Sequence, residues 1–388
     1  MKVFITAGEP SGDRLGAALM AGLKAQAGEE ITFTGIGGPL MEAEGLNSIF
    51  PMDEISIMGI GEILSQYRSL KRRIRQTSEA AIADAPDVVI TVDLPEFSLR
   101  VAAQIKEKAP QLRIVHYVAP TVWAWRPGRA AKMAPHIDQV LALLPFEPPY
   151  MEAAGMRCDF VGHPVVSEPV AGPEAIRAFR ESHGIGDAPL ALILPGSRRG
   201  EVARLGPVFG EVARRVHAAR PEIRFVIPAA PAVAQTVADL AAGWPGDPVV
   251  LDPRALGDAA LDTKRAAFGA ADVALAASGT VSLELAAAAT PMVIAYDMSW
   301  LSRQIIGRLL RTDTVTLVNL VAESRTIPEF IGKSCRPDRI APALLSVLGA
   351  PERQAQAMEL TMQRLGRDGP AQGDRAAAAV LDGLKTRP

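Results

Sequence analysis

Apolar residues along this chain fall into two alternating patterns. Short continuous runs, such as Leu190–Leu194, are separated by longer stretches in which apolar positions recur every three or four residues. The first pattern reads as strands covered on both faces, the second as amphipathic helices. Strands are predicted at Lys2–Thr6, Ile31–Thr34, Asp87–Val92, Arg113–Val118, Gln139–Leu144 and Asp159–Val161. A second series follows at Leu190–Leu194, Ile223–Ile227, Val249–Asp252, Val273–Ala276 and Met292–Ala295. This alternation predicts an α/β protein with two doubly wound, Rossmann-like parallel sheets. The Pro- and Gly-bearing stretch after Gly162-His163-Pro164 divides the chain into domains 1–164 and 165–350. The tail, 351–388, has helical period and no strand, so it is expected to pack on the first domain, with a swap in a homodimer as one form of that packing. Two such sheets in tandem imply a cleft, with ligands at the carboxyl ends of strands.

Composition narrows the classes. In 388 residues, 48% apolar, the net charge is only −2, so no global field draws the chain to nucleic acid or to a bilayer. Two distant cysteines, Cys158 and Cys335, make neither a disulfide framework nor a thiolate metal site, which suits a reducing cytoplasm. No apolar run approaches the ~20 residues of a membrane span. No histidine has a partner at metal-ligand spacing and no Asp-x-Asp is present, so no metal or cofactor is expected.

The distinctive loops follow predicted strands. Ser278-Gly279-Thr280 opens a helix where free N–H groups attract an anion, and Glu284, one turn on, is placed to accept ribose hydroxyls. The plainer reading is an ordinary strand–helix corner with a surface glutamate. Leu194–Val202, LPGSRRGEV, offers a second anion cradle with Arg198 and Arg199. Asn319 follows an apolar run and is a candidate reader of a base or sugar edge. Gly332-Lys333-Ser334 imitates a P-loop but lacks its first glycine. In the first half, Gly8–Asp13, GEPSGD, suits close backbone approach at Gly8 and Gly12, with Ser11 as helix cap. Asp93 ends a strong strand just before Pro95, where a partly desolvated carboxylate can act as general base; Glu96 is a second acid nearby. Trp123 and Trp125 suit sugar stacking or, more often, wall packing, and His116 reads as structural.

Gly59–Ala80 carries Ile60, Ile63, Leu64 and Tyr67 on one helical face, beside Met58, with Arg68, Lys71, Arg72, Arg73 and Arg75 close by. A core helix with a solvated basic side accounts for this; so does a helix lying on anionic lipid. Together the loops fit sugar transfer by direct displacement with inversion, Asp93 taking the proton and Arg198 with the Ser278–Thr280 helix end stabilising a departing diphosphate.

In order along the chain, GEPSGD, GIGGPLM, MGIGEIL, VDLPEFSLR, HYVAPTVWAWR, LLPFE, VGHP, LPGSRRGEV, SGTVSLE and VNL resemble the motifs of lipid-A-disaccharide synthases, from Met1 to about Ile331. The resemblance implies a GT-B glycosyltransferase. The implied reaction joins UDP-2,3-diacylglucosamine to the 6-hydroxyl of 2,3-diacylglucosamine 1-phosphate, with a β-1,6 disaccharide and UDP as products. By matching positions, Asp93 is the base, Arg198 a donor-site residue, and Glu284 and Asn319 part of the nucleotide pocket. Where that family commonly has Asp-Ala-Pro-Asp-Phe-Asn, this chain has Asp-Leu-Pro-Glu-Phe-Ser, so no role carries over to Glu96 or Ser98. Acylated sugars also give the basic helix a purpose: Met58, Ile60, Ile63, Leu64 and Tyr67 would receive acyl chains, while Arg68, Arg72 and Arg73 meet headgroups and the acceptor phosphate. The protein is then expected on the cytoplasmic face of the inner membrane. Two other readings share the sheets and the anion site: a UDP-N-acetylglucosamine epimerase and a non-catalytic nucleotide-sugar binder.

Overall fold

The computed structural model describes residues 1–56, 60–124, 128–298 and 312–385, with residues 60–67 described by backbone alone. Met58 and Trp125 therefore lie outside the described residues, as do the side chains of Ile60, Ile63, Leu64 and Tyr67.

The chain forms two compact units, residues 1–167 together with 368–388, and residues 168–367. Among the described residues, the first unit holds a sheet of seven parallel strands: β1 (Lys2–Thr6), β2 (Thr32–Ile36), β3 (Leu46–Ser48), β4 (Val88–Val92), β5 (Ile114–Tyr117), β6 (Gln139–Ala142) and β7 (Arg157–Phe160). The second holds six: β8 (Leu190–Leu194), β9 (Arg224–Pro228), β10 (Val249–Leu251), β11 (Val273–Ala276), β12 (Met292–Tyr296) and β13 (Glu329–Ile331). Both are covered on both faces, which is why central strands such as β4 and β8 are buried at every position. In the first sheet one face packs Phe4, Val89, Ile114 and Val140, and the other Val3, Ile5, Ile90 and Val115.

Strand order fixes where ligands can bind. The first sheet runs β3-β2-β1-β4-β5-β6-β7 and the second β10-β9-β8-β11-β12-β13. Each order reverses once, between β1 and β4 and between β8 and β11. Helices leave in opposite directions at such a point and open a crevice at the carboxyl ends of the strands. The four loops there are Gly8–Asp13, the Asp93 turn, the loop after β8 and the Ser278–Thr280 corner.

The tail divides between the units. The helix Glu352–Arg364 belongs to the second, where the Gln354 side chain accepts from Met292 N at 2.8 Å and donates to Met292 O at 2.9 Å. Gly366, at φ 100°, turns the chain away. Only the helix Gln372–Lys385 packs on the first unit, against the helix Pro10–Gln26. Its approach is close because both helices are bare at the crossing: a Cβ on Gly22 would lie 2.7 Å from the Gly373 carbonyl oxygen. Farther along, Gln139 Nε2 donates to Ala379 O at 2.9 Å, and Arg157 pairs with Asp382 at 2.7 Å.

Candidate functional site

In the first unit, β4 ends in two consecutive left-handed residues, Asp93 at φ 51° and Leu94 at φ 46°. Non-glycine residues reach this region at a cost that persists only where surrounding structure imposes it. Here Asp93 N–H donates to Tyr117 O at 2.8 Å, and Ser98 Oγ donates to Asp93 O at 2.6 Å. Burial raises the Asp93 pKa, opposed by the Leu94 N–H. Glu96 is exposed and paired with Arg129 and Arg100, so it is a surface ion pair beside the turn.

The Gly8–Asp13 loop works differently from the sequence expectation. The helix begins at Pro10, its N-cap is Glu9, and Ser11 is exposed in the first turn, so Ser11 is not the cap. The capping residue is Asp13, and it serves another helix. It is buried, and its carboxylate accepts from Gly38 N at 2.9 Å, Leu40 N at 3.0 Å and Met41 N at 3.0 Å, at the head of the segment Pro39–Ala43. Gly8 packs against Ile55 and Gly12 against Ala7 and Val92, where larger residues would clash or crowd.

Thr6, Thr91 and His116 stand in one register row across β1, β4 and β5. Thr91 Oγ1 lies 2.8 Å from His116 Nδ1, and burial lowers the His116 pKa to about 4, with Arg129 adding to the effect. His116 is a neutral core residue. Trp123 is wall packing too: it meets Phe146 edge-on and donates to Glu147 at 3.4 Å.

On the helix Ile60–Asp84, Arg68, Lys71 and Arg72 are exposed. Arg73 is not available to lipid. It donates to Glu54 Oε2 at 2.8 Å and Gln76 Oε1 at 2.6 Å, and its guanidinium stacks 4.3 Å from the Phe50 ring centroid.

In the second unit, a cavity of about 650 Å³ opens at the β8/β11 switch point, lined by Arg198, Glu201, Lys264, Phe268, Ser278, Gly279, Thr280 and Glu284. Another hollow, of about 780 Å³, lies at the amino-terminal ends of these strands near Asp187, Asp272 and Pro291; the strand-end rule assigns ligand chemistry to the former. Glu284 pairs with Lys264, and the Lys264 ammonium stands 5.1 Å from the Phe268 ring centroid. Lys264 was not singled out in the sequence, where it is one lysine on a helix with no motif around it. Gly279 is exposed at φ 154° with open space where a Cβ would be, so its backbone is accessible. The helix it opens, Val281–Ala287, has only seven residues, so the site rests on side-chain charge and local N–H groups more than on a long helix dipole.

Two expectations change here. The loop after β8 is not an empty cradle: Glu201 Oε2 accepts from Ser197 N and Arg198 N, each at 3.3 Å. What remains for an anion is the Arg198 guanidinium, 78% exposed and 3.7 Å from Glu201. Asn319 is fully buried and its amide is occupied. It donates to Ile327 O at 2.9 Å and accepts from Ile327 N at 3.0 Å. It braces the segment after the helix Leu317–Ala322 and presents no free edge, because an unpaired amide at that depth would be costly.

Two parallel-sheet domains with loops of this kind at both switch points define a GT-B fold. Solved structures agree on the fold alone. UDP-N-acetylglucosamine 2-epimerase from Neisseria meningitidis bound to UDP-N-acetylglucosamine matches with TM-score 0.65 and 12% identity over 100% of both chains. A trehalose-6-phosphate synthase matches with TM-score 0.59 and 11% identity over 100% of this chain and 99% of that one. The family model described as lipid-A-disaccharide synthetase matches residues 3–381. Lipid-A-disaccharide synthase from Ruegeria pomeroyi is 61% identical over 99% of this chain and 96% of its own length. That from Rhodospirillum centenum is 43% identical over 99% and 95%. The chain belongs to the lipid-A-disaccharide synthetase family.

Proposed function

We propose that the protein transfers 2,3-diacylglucosamine from UDP to the 6-hydroxyl of 2,3-diacylglucosamine 1-phosphate. The acceptor oxygen attacks the anomeric carbon as the bond to the UDP β-phosphate breaks, inverting that carbon. The hydroxyl proton passes to the Asp93 carboxylate, and UDP leaves. The supporting observation is the Asp93 turn: a desolvated carboxylate, held in a left-handed conformation at the first sheet's switch point. A positioned base of this kind is worth ~10²–10⁴ in rate.

In this reading the donor occupies the β8/β11 cavity. Glu284, held by Lys264, takes the ribose hydroxyls, and the Gly279 and Thr280 N–H groups face the diphosphate. Arg198 turns from Glu201 to the charge that develops on the leaving group, so the mechanism calls on no metal. Asn319 contributes only by bracing its own segment. We further propose that Arg68, Lys71 and Arg72 hold the protein against anionic lipid, because both sugars carry acyl chains; among the described residues no helix is long and apolar enough to cross a membrane.

The test is incubation with both acylated sugars while disaccharide and UDP are followed. Asp93→Asn should abolish turnover and leave UDP binding intact. A near-normal rate in that variant removes Asp93 from the mechanism. Failure of the wild type to form disaccharide rejects the reading as a whole.

A further inference from the structure

The first unit contains a set of buried donors that the proposed chemistry does not use. Tyr117 is the last residue of β5; its side chain is fully buried, and its hydroxyl has no partner. Its ring shares a hydrophobic cluster with Ala376, Ala377 and Val380 of the helix Gln372–Lys385. The residue before that trio, Arg375, has buried Nε and Nη2 atoms with no acceptor, and no carboxylate pairs with it among the described residues. Its guanidinium carbon is 5.9 Å from the ring centroid of Phe160, at the end of β7. One turn earlier, Gln372 is buried and its Nε2 is also without a partner.

The helix is oriented so that these groups lie toward the carboxyl ends of the strands. Its later residues, Ala379 and Asp382, touch Gln139 and Arg157, which begin β6 and β7. Arg375 and Gln372 precede them, and Phe160 and Tyr117 end their strands. Nearby acids leave the site cationic: Asp159 is held by Arg157 and Gln139, and Asp374 is exposed. The Arg375 charge depresses the Tyr117 pKa, against the larger upward effect of burial, so the hydroxyl stays a neutral donor.

Buried donors without acceptors are costly, and a guanidinium beside a hydroxyl matches the oxygens of a phosphate monoester. We propose that Arg375 and Tyr117 form a phosphate-binding site and that its occupant is the 1-phosphate of the acceptor sugar. This rests on the reaction proposed above. Tyr117 O also accepts from Asp93 N, so the site is tied through one hydrogen bond to the residue that faces the acceptor's 6-hydroxyl in that reaction.

The experiment compares the diacylglucosamine 1-phosphate acceptor with the same sugar lacking phosphate, in wild type, Arg375→Met and Tyr117→Phe. Wild type should prefer the phosphorylated acceptor about tenfold or more in kcat/KM. Each variant should lose most of that preference, through acceptor KM, with donor KM unchanged. Inorganic phosphate should compete with the phosphorylated acceptor in wild type and not in Arg375→Met. An unchanged preference in Tyr117→Phe, which removes one oxygen from a packed ring, overturns the proposal even if Arg375→Met does not fold. Phosphate competition lost in Arg375→Met with preference intact makes the site one for free phosphate and overturns the acceptor assignment. If wild type makes no disaccharide from either sugar, the reaction itself is rejected. Phosphorus NMR with glucosamine 1-phosphate then judges the site alone: binding by wild type and not by Arg375→Met supports it, and equal binding overturns it.

Discussion

The main-chain N–H of Asp93 donates to the carbonyl oxygen of Tyr117 across 2.8 Å, joining β4 to β5 at the position where both strands leave the sheet. On either side the backbone is left-handed: Asp93 at φ 51°, Leu94 at φ 46° and Val118 at φ 81°. A β-branched residue such as Val118 adopts this conformation only under constraint.

Asp93 should therefore show opposite effects on rate and stability. Its folded pKa is raised above 3.8 by burial. The base form is lost as pH falls through that raised value, so the acid limb of kcat/KM should lie above 3.8. For stability, the buried carboxylate is a burden that grows as pH rises from the unfolded pKa through the folded one. Asp93→Asn keeps a residue tolerant of left-handed φ and removes the charge. It should unfold at an equal or higher temperature at pH 7 while losing turnover. An acid limb at or below 3.8 would remove the desolvated base from the account.

Lys264 and Glu284 should act as one unit in UDP binding. Lys264→Met and Glu284→Gln are each expected to weaken UDP by roughly fivefold, with the double variant little worse than either single one. If Glu284 reads the ribose, discrimination between UDP and 2′-deoxy-UDP should fall in Glu284→Gln. Calorimetric titration measures both, and additive losses would separate the two residues.

The basic helix divides into exposed and engaged cations. Replacing Arg68, Lys71 and Arg72 together by Ser should abolish salt-sensitive binding to anionic vesicles and leave the melting temperature near wild type. Arg73→Ser should do the reverse, because it breaks the contacts with Glu54, Gln76 and Phe50. Equal vesicle sedimentation by wild type and the triple variant would rule out the surface role.

Glu147 gives a second pH signature. Burial lifts its pKa to about 8, despite bonds from Leu144 N and Trp123 Nε1. The folded state thus holds a proton that the unfolded state releases near 4.5, and stability contributed by this group declines from there up through about pH 8. Glu147→Gln should match wild type in denaturant melts at pH 5 and exceed it at pH 9. A gap independent of pH would contradict the buried, protonated carboxyl.

The long strands were legible because each is a run of apolar residues covered on both faces. Leu46–Ser48 and Glu329–Ile331 were not, since three residues are too few to carry a period. The loops at the switch points were legible as places, less so as contacts. Ser11 has the right side chain for a cap, but Pro10 starts the helix ahead of it, and Asp13 reaches across to another segment. Asn319 and Glu201 are polar residues in promising segments, and each is engaged by backbone groups of its own chain, buried ones for Asn319 and exposed ones for Glu201. Lys264 had the opposite problem: only the fold brings it to Glu284, from a helix twenty residues earlier in sequence. Sequence pattern marks where polar groups lie, and long-range packing decides whether they are spent on the fold.

The first unit is built from two separate stretches of chain, 1–167 and 368–388, with the whole of the second unit between them. On a ribosome, its strands emerge long before the helix Gln372–Lys385 that covers Ile5, Val115 and Tyr117. The helix Pro10–Gln26 packs on that face early, but the part beneath Ala376, Ala377 and Val380 lacks its cover throughout synthesis of the second unit. The first unit, and with it any contribution from Arg375, is therefore completed only after the second unit has been synthesised.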